Sequence, residues 1–280
     1  MDTQSAFEQQ AAEQTQIRSS SDTSSPTWPL SRVGLRVQDM ARSIDYYTHL
    51  GFSVIRDERD QGAHGGVGLG VGTQEILSLR PLPGGRPRPS RTAGLYHFAI
   101  LVSDEAELGS FLRHCLDTGI PLSGASDHLV SQALYLSDPE GNGIEVYADR
   151  PRETWQYRDG SLVMDTIRLN APALLKQAYT YTGFSPQTRL GHMHLNVGDL
   201  ERSRAFYQNL GMELMVAIPG QASFLSWESY HHHLGVNTWA GRNVRPVEPD
   251  VFGLDFFEIR RPGLSPAVLQ DPDGVTIVVR

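Results

Sequence analysis

The chain has 280 residues, room for one large domain or two modest ones, and its 39% hydrophobic and 20% charged content is that of an ordinary globular protein. Its 24 basic against 32 acidic side chains give a net charge of −8, with no basic field for phosphate backbones or anionic lipid, and no apolar run approaches the roughly 18 residues of a membrane span. Nucleic acid and membrane are therefore not expected as partners, and one cysteine, Cys115, with no signal-like N-terminus points to the cytoplasm.

Residues 1–29, dense in Gln, Ser and Thr, read as a flexible tail. An internal repeat comes next. Residues 37–52 (VQDMARSIDYYTHLGF) align with residues 197–212 (VGDLERSRAFYQNLGM), and Val37, Asp39, Arg42, Ser43, Tyr47, Leu50 and Gly51 each recur 160 positions later. Each copy reads as a strand ending at valine, an N-capping aspartate, a helix of about ten residues and a terminating glycine. A second strand opens at 95–102, followed by a helix that Ser103 can cap and that carries Leu108, Phe111, Leu112, Cys115 and Leu116 at helical spacing. A related strand reads 232–237, without a following helix, and Asp-Pro turns recur at 138–141 and 271–274.

These features predict an α+β chain of four strand-helix-strands units, at 30–82, 94–150, 189–230 and a shortened 231–280. The halves are 30–150 and 189–280, with a connector at 151–188.

Side chains alternate faces along a strand, so His192, His194 and Asn196 share one face, His97 lies with Ala99 and Leu101, and Glu145 lies with Tyr147. The carboxylate interrupts an otherwise apolar strand. In the His231–His233 run, alternation would put only two of the three rings on one face.

The stretch 128–145 (HLVSQALYLSDPEGNGIE) resembles the signature of extradiol catechol dioxygenases, carried here by His128, Leu134, Tyr135, Asp138, Pro139, Gly141 and Glu145. From about residue 30 onward the chain resembles the vicinal oxygen chelate superfamily, built of βαβββ modules that form half-barrel-like domains, and within it two-domain bacterial catechol-2,3-dioxygenases. That resemblance implies four such modules, the fourth shortened. It also implies a metal held by two histidines from the first strands of two modules and one glutamate from a last strand. The first-strand positions are Arg32, His97, His192 and His233, and the last-strand positions are Glu145 and Val278. A complete set arises if the second unit pairs with the third, giving His97, Glu145 and His192, which the length of the connector permits.

The same resemblance implies Fe(II), with Mn(II) as the other ion considered, and extradiol cleavage of an aromatic diol with O2. His128 would move protons and Tyr135 would hydrogen-bond substrate oxygen. His233, grouped with Arg32 and Val278 in a degenerate second site, could still line the pocket. A glyoxalase-like lyase or isomerase, or a sequestering protein without turnover, are the alternatives, and a homo-oligomer stays open.

Overall fold

The computed structural model describes residues 28–280; the predicted tail lies outside the described residues except for Trp28 and Pro29, which are docked. The Trp28 indole N–H donates to the Leu190 carbonyl at 2.7 Å, and its ring stands edge-on to Tyr230 and His233, with centroids 5.0 and 4.9 Å away. The Arg260 amide donates to the Pro29 carbonyl at 2.8 Å. Trp28→Ala is expected to cost about 2 to 3 kcal/mol in urea unfolding, below the full cost of a core tryptophan because the ring is only half-buried. An unchanged urea midpoint would show that the docking contributes nothing.

The first unit comprises β1 (Leu30–Val37), α1 (Met40–Leu50), β2 (Ser53–Asp57), β3 (Val67–Val71) and β4 (Gln74–Pro81). The second comprises β5 (Gly94–Leu101), α2 (Glu105–Thr118), β6 (Gly124–Asp127), β7 (Ser131–Ser137) and β8 (Gly143–Asp149). The connector carries the short strands β9 (Tyr157–Arg158), β10 (Ser161–Leu162) and β11 (Ile167–Arg168), then helix α3 (Ala171–Lys176). Next come β12 (Arg189–Asn196), α4 (Leu200–Asn209), β13 (Glu213–Ile218), β14 (Ala222–Ser226) and β15 (Leu234–Asn237), and finally β16 (Gly253–Ile259), β17 (Ala267–Gln270) and β18 (Thr276–Val279).

The helix ends obey local chemistry. Asp39 and Asp199 cap α1 and α4 by accepting the backbone N–H of Arg42 and Arg202, both at 3.0 Å, and Gly51 ends α1 in the left-handed region at φ 118°. In α2 the cap is Asp104 rather than Ser103, whose N–H and hydroxyl instead donate to Glu107.

Strand order separates the four units into two curved sheets. One runs β17-β18-β16-β1-β4-β3-β2, the other β11-β6-β7-β8-β5-β12-β15-β14-β13. The first unit thus joins the fourth through antiparallel β1 and β16, and the second joins the third through β5 and β12. Neither sequence half, 30–150 or 189–280, forms a sheet alone.

The strand after the histidine run differs from its sequence assignment. β15 lies parallel to β12, pairing Met193 with Leu234 and Asn196 with Asn237, and so completes the third unit instead of opening the fourth. The fourth opens at β16 and goes to β17 without a helix. A short apolar strand reads alike in first or last place, so spacing alone could not separate them.

Sequence neighbours are tied by the repeated tyrosines. Tyr47 donates to Asp138 Oδ2 at 2.8 Å and Tyr207 to Asp271 Oδ2 at 2.9 Å, each joining a helix to the Asp-Pro turn of the next unit. Phe98, Ile100, Ile144, Val146, Met193 and Leu195 face a continuous apolar core, leaving the opposite face of the nine-stranded sheet for polar groups.

Candidate metal centre

On that opposite face, β5 carries His97, β8 carries Glu145 and β12 carries His192, all buried. Parallel pairing sets Glu145 beside Ala99, while antiparallel pairing sets His192 across from the same Ala99. One small residue thus lies between the glutamate and the histidine of the other unit. The three donor atoms converge: His97 Nε2 to Glu145 Oε2 is 3.0 Å, His192 Nε2 to Glu145 Oε2 is 3.2 Å, and the two Nε2 atoms are 3.3 Å apart. Ligands in cis positions about 2.1 Å from a common ion would stand about 3.0 Å apart, so the triangle has the size of a facial ligand set.

Electrostatics favour the ligating forms. Burial alone would raise the Glu145 carboxyl, but the imidazoles of His192 and His97 hold it well below the usual carboxylate range. Burial pushes His192 down to about 4 against the pull of Glu145, so its ring is neutral. A carboxylate and neutral imidazole are what a divalent ion binds. The two imidazoles leave one negative charge for the ion to balance.

Register also explains why the set stops at three. As Glu145 lies beside Ala99, two residues beyond His97, so Gly235 in β15 lies beside His194, two residues beyond His192. A Cβ at Gly235 would stand 2.8 Å from the His194 ring. The place of a second carboxylate is therefore empty of side chain, and the ring of His194 occupies the approach.

The corresponding place in the seven-stranded sheet is closed. Arg32 stands 65 residues before His97, as cap Asp39 stands 65 before cap Asp104, and Phe256 lies across from Gly34 as His192 does from Ala99. The Arg32 guanidinium bonds Glu75 and Glu258 at 2.9 and 3.0 Å, 5.3 Å above the Phe256 ring. Val278 pairs with Glu258 in this sheet, but His233 is elsewhere. Its Nδ1 accepts from the Ser226 hydroxyl and the Trp227 amide at 2.9 and 3.2 Å, its ring packs on Trp28 and Tyr230, and it does not line the cavity.

The donor triangle forms part of the wall of a cavity of about 750 Å³. His128 and Tyr135 line the same cavity as a bonded pair, with Tyr135 Oη 2.6 Å from His128 Nε2. His128 Nδ1 donates to the Asp165 carbonyl at 2.9 Å, which leaves Nε2 to accept the phenolic hydrogen. Burial, then the charge of Glu145, push the Tyr135 phenol upward and keep that hydrogen in place.

Four further lining residues, Tyr96, Phe224, His232 and Trp239, are ones that the sequence pattern does not mark as site residues. Tyr96 and Trp239 are about half exposed, at 43% and 47%, and meet edge-on with centroids 5.2 Å apart. The histidine run lies in an irregular loop, where strand alternation does not apply. His231 turns to Asp149, His232 to the cavity wall beside His192, and His233 to Trp28.

The Glyoxalase/Bleomycin resistance protein/Dioxygenase superfamily matches residues 30–146 and 189–238. A catechol-2,3-dioxygenase of Bacillus subtilis (strain 168) is 41% identical over 235 residues, 81% of each protein. Among solved structures, glyoxalase I from Zea mays superposes with a TM-score of 0.55 at 19% identity, over 90% of this chain and 91% of that one. The cppA protein of Streptococcus pneumoniae TIGR4 gives 0.56 at 13% identity, over 90% and 98%. At such identities these two structures speak for the fold alone.

Proposed function

The chain belongs to the Glyoxalase/Bleomycin resistance protein/Dioxygenase superfamily, and from that premise we propose that it is an Fe(II)-dependent dioxygenase that opens the ring of a catechol-type diol beside its two hydroxyls. The observation that carries this reading is the buried His97, Glu145 and His192 triangle on the wall of an accessible cavity, with no side chain at Gly235 to complete a fourth protein ligand. Two imidazoles and one carboxylate on one face, with open positions opposite, suit non-haem Fe(II) better than the all-oxygen sets that hold Mg or Ca. Bound there, Fe(II) would supply the Lewis acidity and redox chemistry that joins an aromatic diol to O2.

This chain's own residues would do the rest. Tyr96 and Trp239 give the cavity aromatic lips for a planar ring, and His97, Glu145 and His192 fix the depth at which its hydroxyls stop. The His128 and Tyr135 pair forms a relay beside the substrate oxygens: with its own hydrogen on His128 Nε2, the Tyr135 oxygen accepts from a substrate hydroxyl, and each proton it takes up is matched by one passed on to Nε2, so the phenol stays neutral.

The test is iron-loaded protein given catechol and air in an oxygen electrode, with a hemithioacetal assayed in parallel. Oxygen uptake with catechol alone supports ring cleavage. Turnover of the thiol adduct without oxygen would move the chain to the glyoxalase-like chemistry of the same superfamily. His128→Ala is expected to lower turnover about 100-fold with metal content unchanged, since it removes a proton carrier and no ligand. Loss of the metal in that variant would make His128 a structural support of the centre.

A further inference from the structure

The histidine run holds a bonded chain that the metal triangle does not use. Asp149 Oδ1 lies 2.9 Å from His231 Nε2, and His231 Nδ1 lies 2.7 Å from His232 Nδ1. His231 is fully buried, while the His232 ring lines the cavity with its centroid 4.1 Å from that of His192. Asp149 is held in turn by Tyr230, whose hydroxyl donates to Oδ1 at 3.0 Å and stands 2.7 Å from the Tyr147 hydroxyl.

The donors along this chain are fixed by the carboxylate at its end. Asp149 has only acceptors, so His231 must place its hydrogen on Nε2. Its other nitrogen, Nδ1, faces a second ring nitrogen rather than an acceptor-only group, and is then the acceptor. A hydrogen must still lie between the two Nδ1 atoms, and His232 is its source. His232 therefore carries its hydrogen on Nδ1, and Nε2, on the far edge of the ring, presents a lone pair. We propose that Asp149 and His231 are positioning residues that lock His232 in the Nδ1–H tautomer, so that its Nε2 accepts a hydrogen bond from a hydroxyl of the substrate beside the metal.

The inference rests on the ring-cleavage reading of the site and adds to it a device for presenting the diol. Without the lock, His232 would also populate the opposite tautomer, whose Nε2–H would point a donor at a substrate hydroxyl. A carboxylate that sets imidazole tautomer through one hydrogen bond has large kinetic consequences in other enzymes. A supporting group of this kind is worth about 10- to 100-fold.

The test compares His231→Phe, His231→Gln and Asp149→Ala in iron-loaded protein. Phenylalanine keeps a ring in the space but bonds neither neighbour, whereas glutamine offers an amide N–H to Asp149 and an amide oxygen to His232. His231→Phe and Asp149→Ala should lower kcat about 10- to 100-fold, with metal content and the Kd for catechol, measured anaerobically, within about threefold of the parent. His231→Gln should recover most of the lost kcat. Asp149 is partly exposed, at 27% of its side chain, so its variant covers the case in which His231→Phe fails to fold. Parent-like kcat in Asp149→Ala, or a glutamine variant as slow as the phenylalanine one at full metal content, would overturn the tautomer lock. A parent protein that takes up iron yet consumes no oxygen would instead defeat the reading beneath it.

Discussion

Glu145→Ala is expected to empty the metal centre and lower dioxygenase turnover by roughly a thousandfold or more. The carboxylate is the only anion in the His97, Glu145 and His192 triangle, and its Oε2 faces both imidazole Nε2 atoms. Removing it leaves only two imidazoles to hold a divalent ion, and a loss of several kcal/mol of metal-dependent stabilisation corresponds to at least three powers of ten. Elemental analysis of dialysed protein reads the first part and oxygen uptake the second. His233→Ala, by contrast, should keep its metal, because that ring packs against Trp28 and Tyr230 away from the cavity. A metal-replete Glu145→Ala protein, or a metal-free His233→Ala one, would place the ion elsewhere.

Glu107→Ala should be the most damaging substitution away from that centre. This fully buried carboxylate accepts from the backbone N–H and hydroxyl of Ser103 and of Ser185, at 2.7 to 2.9 Å, and from Thr188 at 3.3 Å. It joins the start of α2 to the end of the connector, immediately before β12 and His192. Alanine strands two backbone donors and their hydroxyls, at about 1 to 3 kcal/mol for each buried group left unpaired, so the total after relaxation should be about 3 to 5 kcal/mol. Urea unfolding should show a lower midpoint at unchanged slope. A loss under about 1 kcal/mol would mean that water replaces the carboxylate, and that the connector is held by other contacts.

Much of this architecture could be read from local chemistry. The recurrence of Val37, Asp39, Tyr47 and Gly51 at a distance of 160 residues marked the unit, and the aspartate caps and glycine stop marked the helix ends. Alternation in β5, β8 and β12 set His97, Glu145 and His192 on one face each, though it could not say that the three faces coincide. That depends on which central strands pair, a long-range choice that the local pattern leaves open and that only the completeness of the implied ligand set suggested; the sheet order places β5 beside β12.

The misreadings have physical causes. β15 is too short for its apolar pattern to distinguish a first strand from a last one. The histidine run before it leaves regular geometry, with Glu228 and Ser229 at φ 58° and 53°, so each ring turns to its own hydrogen bond rather than keeping a strand period. Trp28 reads as the end of a polar tail because its partners, Leu190, Tyr230 and His233, lie more than 160 residues away. Tyr96 faces the cavity rim although its neighbours on alternation are core residues, and nothing in the spacing announces that.

The most direct measurement of the central claim is oxygen stoichiometry. Protein reconstituted anaerobically with Fe(II), mixed with catechol and then exposed to air, should consume one O2 per ring and develop the visible absorbance of a ring-opened semialdehyde. Tight binding of catechol by fully iron-loaded protein, with no oxygen consumed and the diol recovered intact, would contradict it.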